Sequence, residues 1–369
     1  MSEQNMLLER ERVLLALAHQ ETDRAPADFW ATPEEVERLL QYFSVPDYNT
    51  LLNRLEIDIR EVRPDYIGPQ GRTLPDGTHI AANGIHYRRV ENAFCAYNET
   101  VKHPLADFTT PDEIINYPHW PKPEWYDWSS LSDKIGGLHD RYFVKIEMGG
   151  LFESINAMRG MEQVMIDMAT EPEMMHAAMQ SIAKSFTGFI QKALDAAGNK
   201  IDLVYTFDDI ASQRGLLMSP AMWEEFIAPY HRSINKVIKS YGKCIMYHSC
   251  GAVYDMIARL AALPIDILNP LQPQAVGMDF VKIKQNFGGK LCFHGGIDIQ
   301  GVLPHGTWQE TAQAALDTRE ILGKDGGYIL ASSHYIQADT PPENVDAMYL
   351  ANKLGHVPES LTLKKEAIL

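Results

Sequence analysis

The sequence predicts an α/β protein built as a (β/α)8 TIM barrel, with a β-hairpin-rich insertion in the N-terminal third. Eight short apolar, β-prone runs alternate with runs of helical periodicity. No Gly-rich dinucleotide-binding motif follows the first strand, which argues against a doubly wound sheet. The length of 369 residues is sufficient for one large barrel. We therefore treat residues 1–369 as a single domain.

The N-terminal part supplies the first two strands. Helical periodicity covers residues 7–19, and a short strand is predicted at residues 27–30. Thr32 precedes a proline and two acidic residues, which is typical of an N-cap, so a helix should run from there to about Phe43. Residues 57–62 form the next predicted strand.

Residues 64–141 have a different pattern. Turn sequences such as Asn83-Gly84 separate short alternating runs, which predicts β-hairpins, and residues 104–128 are irregular and rich in proline and tryptophan. We interpret this stretch as an insertion into the barrel. It is either a lid or wall of the active site, or a solvated insertion without function.

From residue 142 onward strands and helices alternate regularly. The predicted strands are 143–149, 203–207, 243–247, 265–269, 290–293 and 328–331. The predicted helices are 161–169, 172–197, 220–241, 253–263, 279–287, 308–322 and 342–354.

Polar side chains follow almost every strand of this region. In a barrel of this kind the catalytic side chains lie at the C-terminal ends of the strands. Each of these polar residues also has a structural explanation that involves no function, because acidic residues cap helices and Asn before proline is common in turns. The residues are Glu147, Asp208, Asp209, His248, Cys250, Asn269, Gln272, His294, Asp298, Ser333 and His334.

His248 and Cys250 are the strongest candidates for metal ligands. They lie two residues apart at the end of the run Lys-Cys-Ile-Met-Tyr-His-Ser-Cys-Gly, so a strand would point both to one face. Thiolate with imidazole suits zinc, and a catalytic zinc needs only three protein ligands. His334, at the tip of the last strand, is the best third ligand. The alternative is a buried Cys beside a hydrogen-bonded His.

A competing pair with the same spacing is Cys292 and His294. Cys292 is flanked by Leu291 and Phe293, which indicates a core position. His294 lies nearer the barrel mouth, as a substrate contact or as a partner of the ligands. Cys244 is also interpreted as core.

Composition limits the functional classes. With 49 acidic and 33 basic residues the formal charge is −16, which disfavours nucleic acid and anionic membrane surfaces as partners. Four cysteines without a paired spacing, a start without a signal-peptide core and no membrane-length apolar run predict a cytoplasmic protein.

Four motifs resemble the uroporphyrinogen decarboxylase-like superfamily, and within it the branch of corrinoid-linked methyltransferases and their uncharacterised relatives. They are MYHSCGAV, DILNPLQP, FHGGID and GGYILASSHYIQADTPPENV, and the resemblance extends over residues 142–354. It implies a (β/α)8 barrel with its site at the C-terminal mouth. It also implies zinc held by a His-x-Cys pair, matched by His248 and Cys250, and by a distant Cys, where this chain has His334. One thiolate fewer makes the metal a stronger Lewis acid.

The resemblance implies a zinc-dependent methyltransferase. Methyl would pass between a small methylated substrate or thiol and a corrinoid carried by a separate partner protein, because this chain has no corrinoid-binding D-x-H-x-x-G motif. Asp208 or Asp209 would transfer protons. Family analogy also suggests a homodimer. The expected substrate contacts are Glu147, Asn269, Gln272, His294 and Asp298.

Two alternatives remain open at this stage. The first is a metal-free decarboxylase, in which Asp208 or Asp209 stabilises a cationic intermediate and His334 binds a carboxylate. The arginine-rich N-terminal motif of true uroporphyrinogen decarboxylases is reduced here to Arg24, which argues against a substrate with many carboxylates. The second is a non-catalytic binding protein that retains the barrel as a scaffold.

Overall fold

The computed structural model describes residues 7–361, and the first six residues, on which the signal-peptide prediction partly depends, lie outside them. Its centre is a curled parallel sheet of seven strands, consistent with a TIM-like barrel. The sheet order is β1-β8-β9-β10-β11-β12-β13. These strands are β1 (Ile59–Val62), β8 (Phe143–Gly150), β9 (Leu203–Phe207), β10 (Cys244–His248), β11 (Ile267–Leu271), β12 (Cys292–Ile297) and β13 (Tyr328–Ser332).

The segment before β1 joins the two edges of this sheet. Ala27 forms an isolated parallel bridge with Leu330, whose carbonyl accepts a hydrogen bond from the Asp28 N–H at 3.0 Å. On the other side the Ala27 carbonyl accepts from the Asp58 N–H at 2.9 Å. The predicted strand at residues 27–30 is therefore wrong as a regular strand, although the segment lies where an eighth strand was expected.

The helices surround the sheet, and most predicted spans agree with the structure. The predicted helix at residues 220–241 is wrong as one piece, because it breaks at Ile227 and restarts with Pro229 in its first turn. The run at 253–263 forms only a 3-10 turn and a short helix. The helices are α1 (Glu9–Leu17), α2 (Pro33–Phe43), α3 (Tyr48–Arg54), α4 (Pro111–Ile115), α5 (Ser130–Ile135), α6 (Leu151–Arg159), α7 (Met161–Thr170), α8 (Pro172–Ala197), α9 (Pro220–Phe226), α10 (Ala228–Ser240), α11 (Ile257–Leu260), α12 (Phe280–Phe287), α13 (Val302–His305), α14 (Trp308–Leu322) and α15 (Pro342–Leu354). The start of α2 agrees with the predicted N-cap, since the Thr32 side chain accepts from the Glu35 N–H.

The insertion contains the predicted antiparallel strands together with short helices. One four-stranded sheet has the order β3-β4-β5-β6, and β2 pairs with β7. The strands are β2 (Asp65–Tyr66), β3 (Arg72–Thr73), β4 (His79–Ile80), β5 (His86–Glu91), β6 (Ala96–Lys102) and β7 (Tyr126–Asp127). Arg159 at the end of α6 donates to the carbonyls of Leu105 and Phe108, which ties the insertion to the barrel. Its role as a lid stays a prediction.

Side chains alternate along each barrel strand between the helices and the interior. The inner cluster includes Tyr205, Met246 and Cys292, so the predicted core position of Cys292 is confirmed. His248 of β10 pairs in register with Asn269 of β11. This register places polar residues from neighbouring strands in one layer at the C-terminal end of the barrel.

Within residues 7–361 we find no helix with the length and apolar character needed to span a bilayer.

Candidate metal centre

His248, Cys250 and His334 converge at the C-terminal end of the sheet. One ring nitrogen from each His and the Cys sulfur all lie within 4.8 Å of one another. The His248 Nε2 and Cys250 Sγ atoms are 3.2 Å apart, and the two imidazole centroids are 5.8 Å apart. The geometric convergence expected from the sequence is therefore present. Metal binding by these residues stays a prediction.

The loop after β10 is fixed by backbone geometry and by two side chains. Gly251 has φ +90°, and a Cβ there would overlap the carbonyl oxygen of Ser212, so only glycine fits. The Gly251 N–H donates to Gln272 Oε1 at 2.7 Å, and the Cys250 N–H donates to Asp209 Oδ1 at 2.7 Å. These bonds hold the thiol beside the His248 ring.

A chain of buried hydrogen bonds orients the His248 ring. His248 Nδ1 donates to Asn269 Oδ1 at 2.6 Å, and Asn269 Nδ2 donates to His294 Nδ1 at 2.6 Å. His294 Nε2 donates to Asp28 Oδ2 at 3.1 Å. The carboxylate at one end thus fixes which nitrogen of each ring carries the proton. His248 Nε2 is left with a lone pair facing Cys250, which is the arrangement a metal ligand requires.

Asp28 itself is held by a buried ammonium. Lys145 Nζ lies 2.9 Å from Asp28 Oδ2 and 4.9 Å from the centroid of the Trp30 ring, which in turn stacks on His248 at 6.0 Å. The Lys145 ammonium and His294 outweigh burial and hold the pKa of Asp28 well below its usual range. Asp28 is therefore a fixed negative charge beneath the centre.

A cavity of about 190 Å³ adjoins the cluster and is lined by two of its three residues, His248 and His334. Beside His248 and His334, its walls are carboxylates and aromatic rings. They are Glu147, Glu153, Asp209, Tyr205, Phe207 and Tyr335. Tyr335 also lines a second cavity of about 440 Å³, whose walls include Trp30 and Lys145. The cluster is thus accessible to a small molecule.

Burial controls the protonation of the three candidate ligands. Burial, together with the neighbouring rings of His334 and His294, lowers the pKa of His248 to about 4, although Asp209 and Asn269 act in the opposite direction. Burial also lowers the pKa of His334. Burial and then Asp209 raise the pKa of the Cys250 thiol. Without a cation the imidazoles are neutral and the thiol is protonated.

The two adjacent acids differ in their surroundings. Asp208 is fully buried, where Oδ1 accepts from the Glu153 N–H at 3.0 Å and Oδ2 lies 2.5 Å from His231 Nε2. The Asp209 side chain is 40% exposed, and its Oδ1 is 3.5 Å from His248 Nε2. Of the two sequence candidates, Asp209 is the one that lines the cavity.

Other predicted contacts lie at different distances from the cavity. Glu147 lines it, and its Oε2 is 2.7 Å from Arg63 Nη2. The Gln272 side chain accepts the Gly251 N–H and so stabilises the loop after β10. Asp298 does not line this cavity. Its Oδ1 accepts from the Gln300 N–H at 2.8 Å and its Oδ2 from the Val302 N–H at 3.3 Å, and its contact with substrate stays a prediction.

Sequence reasoning missed several residues of the site. Glu153 belongs to α6, which follows β8 without a loop, and burial beside Asp208 and Asp209 raises its pKa to about 8. Lys145 precedes Glu147 by two positions on the same strand, and this period of two was the signal that places it inside the barrel. Tyr205 and Phe207 share the same alternation on β9.

Arg24, the remaining arginine of the N-terminal motif, does not line either cavity described above. Its guanidinium donates to Asp58 Oδ2 at 2.7 Å and to the Glu56 carbonyl at 2.9 Å. Arg12 binds the same carboxylate at 2.5 Å. Arg24 therefore holds the segment before β1 against the sheet.

A curled parallel sheet with a His-Cys-His cluster and acidic residues at its C-terminal end is typical of the barrel class, in which enzymes have their sites at the mouth. Residues 148–353 match the family described as uroporphyrinogen decarboxylase (URO-D). The chain belongs to this family.

Curated relatives agree with this assignment. The uroporphyrinogen decarboxylase of Trichodesmium erythraeum (strain IMS101) is 25% identical over 186 residues, which are 50% of this chain and 48% of the relative. That of Synechococcus sp. (strain CC9605) is 27% identical over 188 residues, with the same coverage. The similarity thus spans about half the length of these relatives.

A solved structure is similar over nearly the whole chain. It is a methyltransferase from Methanosarcina mazei, with a TM-score of 0.66 and 18% sequence identity, covering 95% of this chain and 99% of the other. At this identity the likeness shows the fold.

Proposed function

We propose that the protein is a metal-dependent methyltransferase, with zinc held by His248, Cys250 and His334. The observation that carries the proposal is the convergence of these three ligand atoms within 4.8 Å beside an open cavity. The similarity in fold to a methyltransferase supports it. A metal-free decarboxylase is the second candidate.

The residues present suit zinc. Two imidazole nitrogens and one thiolate are ligands that zinc prefers, with bond lengths of about 2.0–2.3 Å that separate neighbouring ligand atoms by roughly 3–4 Å. The His248 Nε2 to Cys250 Sγ distance of 3.2 Å falls in this range. The Asn269 bond to His248 Nδ1 already sets the required tautomer. When bound, zinc would act as a Lewis acid toward a thiol or the heteroatom of a methylated substrate.

Residues around the cluster supply the remaining functions. The Asp209 carboxylate, next to the Cys250 N–H, accepts the proton that a thiol releases. Asn269 and His294 keep the His248 ring in place, and Asp28 anchors them. Tyr205 and Phe207 exclude water from one wall of the cavity.

The proposal includes partners. A separate protein would carry the corrinoid that exchanges the methyl group, and the enzyme would act as a cytoplasmic homodimer. The cavity above the cluster opens at the barrel mouth, which is where a partner's corrinoid would have to approach.

The test uses methylcobalamin as the methyl donor and 2-mercaptoethanol as the acceptor, with cobalt oxidation state followed by absorbance. We expect zinc-loaded protein to demethylate methylcobalamin and the chelator-treated protein to be inactive. Cys250→Ala should abolish activity, whereas Cys244→Ala, at the first residue of β10, should retain it. Equal rates with and without zinc would overturn the proposal.

The decarboxylase candidate is favoured by the family match and by the curated relatives. In that case Asp209 would stabilise a cationic intermediate and His334 would bind a carboxylate. Carbon dioxide release from uroporphyrinogen III by the metal-free protein, lost in Asp209→Asn, would establish it. The site has one difficulty for this substrate, because Arg24 is occupied by Asp58.

A further inference from the structure

Asp209 is the cavity carboxylate in contact with the candidate metal ligands. Its Oδ1 lies 3.5 Å from His248 Nε2 and accepts from the Cys250 N–H at 2.7 Å. Burial lowers the pKa values of His248 and His334 and raises that of the Cys250 thiol, and the Asp209 charge acts toward a higher pKa in all three. One carboxylate thus acts on every residue of the cluster.

The position of Asp209 fits a fourth zinc ligand. Tetrahedral bonds of about 2.0–2.3 Å separate neighbouring ligand atoms by roughly 3–4 Å. His248 Nε2 lies 3.2 Å from Cys250 Sγ and 3.5 Å from Asp209 Oδ1, so both distances fall in this range. Asp209 Oδ1 can accept the Cys250 N–H and still bind a metal, because each carboxylate oxygen has a second lone pair.

The other two carboxylates of the cavity are less suited to this role. Glu147 Oε2 is paired with Arg63 Nη2 at 2.7 Å. Burial, together with repulsion from Asp208 and Asp209, raises the pKa of Glu153 to about 8, so its carboxyl is protonated near neutral pH in the metal-free protein. In the described part of the chain, Asp209 forms no ion pair with a lysine or an arginine. Asp209 is therefore the acid best placed to balance the charge of a metal.

Charge balance supports the same role. Zn²⁺ with one thiolate and two neutral imidazoles has one net positive charge, and the second thiolate of the family pattern is replaced here by His334. A net charge in a largely buried site is costly unless an opposite charge compensates it. The Asp209 carboxylate would make the site neutral again.

We infer that Asp209 is the fourth ligand of the zinc proposed at His248, Cys250 and His334, and that a substrate thiol displaces it. The thiol proton passes to the displaced carboxylate, so the total charge of the site does not change. This order of events explains how one residue can complete the metal site and then accept a proton. The inference rests on the proposed function for the metal and for the thiol.

The experiment is a pair of crystal structures of the zinc-loaded protein, one without thiol and one with 2-mercaptoethanol. Without thiol we expect an Asp209 oxygen about 2.0–2.2 Å from the zinc. With 2-mercaptoethanol its sulfur should occupy that position at about 2.3 Å, with the Asp209 carboxylate released. A thiol-free structure with Asp209 more than about 3 Å from the zinc would overturn the ligand assignment. Sulfur and Asp209 bound together would overturn the displacement.

Two variants distinguish ligation from a general effect of charge. Asp209→Asn and Glu147→Gln each remove one carboxylate from the same cavity, and Asn can still accept the Cys250 N–H. Asp209→Asn should weaken zinc binding about 10-fold or more in competition with a chromogenic chelator, whereas Glu147→Gln should change it by less than about 3-fold. Equal losses in the two variants would assign the effect to cavity charge and contradict the inference.

The outcomes separate this inference from the proposed function. Zinc bound by Asp209 in a protein without methylcobalamin turnover would overturn the methyltransferase proposal and leave the ligand assignment standing. Zinc-dependent methyl transfer with Asp209 away from the metal would do the reverse. A protein that binds no zinc at His248, Cys250 and His334 would overturn both.

Discussion

His248 and Asn269 are joined by a hydrogen bond of 2.6 Å between His248 Nδ1 and Asn269 Oδ1, across two neighbouring parallel strands in register. This bond continues through His294 to Asp28. It leaves His248 Nε2 as the atom available to a metal. The orientation of one candidate ligand therefore depends on a residue that does not line the cavity.

Asn269→Ala should weaken zinc binding about 10- to 100-fold, the range found when hydrogen-bond partners of metal ligands are removed. The measurement is competition with a chromogenic zinc chelator. Asn352→Ala is the control, because Asn352 is an equally buried Asn that bonds the Ala25 carbonyl away from the site. Unchanged affinity in Asn269→Ala would show that the hydrogen-bond chain has no bearing on metal binding.

The adjacent acids should separate stability from activity. Asp208→Asn removes a buried partner of His231 and should cost about 3 kcal/mol of unfolding free energy. Asp209→Asn should leave the unfolding free energy within about 0.5 kcal/mol, because the side chain is partly exposed, and reduce turnover about 100-fold or more. Urea unfolding and methylcobalamin turnover measure the two effects. Full turnover in Asp209→Asn would remove it from the proposed mechanism.

The arginine pair at Asp58 should be essential for folding. Asp58 is fully buried and accepts from Arg12, Arg24 and the Ala27 N–H. Asp58→Asn would remove the buried carboxylate that the two guanidinium groups share, leaving Arg12 with Asp23 and Arg24 with Glu56 at 3.8 Å, and should lower the unfolding free energy by about 3 kcal/mol. Thermal and urea unfolding test this. A loss below about 1 kcal/mol would mean that the network contributes little.

Stability should fall as pH rises because of Glu35. Burial, and to a smaller extent Asp339, raises the pKa of Glu35 to about 8, against the ion pair with Arg38. The folded state then binds more protons than the unfolded state between about pH 4.5 and 8, so the unfolding free energy decreases across that window, by about 1.4 kcal/mol per pKa unit at most. Urea unfolding of wild type and Glu35→Gln at pH 5.5 and 8 checks this. A wild-type decrease that persists undiminished in Glu35→Gln would assign it to other groups.

Local patterns in the sequence account for most of the barrel. The helices at 172–197, 308–322 and 342–354 begin and end where proline, caps and periodicity predict. The strand spans are right within a few residues because β-prone apolar runs alternate with amphipathic helices. The convergence of His248, Cys250 and His334 follows from two features of the sequence. These are the order of the strands and the alternation of side chains between the two faces of a strand.

The remaining features depend on contacts between distant parts of the chain. The segment at 27–30 joins the sheet through single bridges, which leave no periodic pattern. The Asp28 to His294 contact crosses 266 residues, so local sequence contains no sign of it. The sequence leaves Asp298 open between a substrate contact and a helix cap, and its bonds to the Gln300 and Val302 N–H groups depend on how the chain turns into α13.

The metal centre is tested most directly by zinc K-edge X-ray absorption on the purified, zinc-loaded protein. We predict about one zinc per chain, with one sulfur ligand at about 2.3 Å and two imidazole nitrogens at about 2.0 Å. The sulfur shell should disappear in Cys250→Ala and remain in Cys244→Ala. A spectrum without sulfur, or a protein that retains no stoichiometric zinc, would contradict the account.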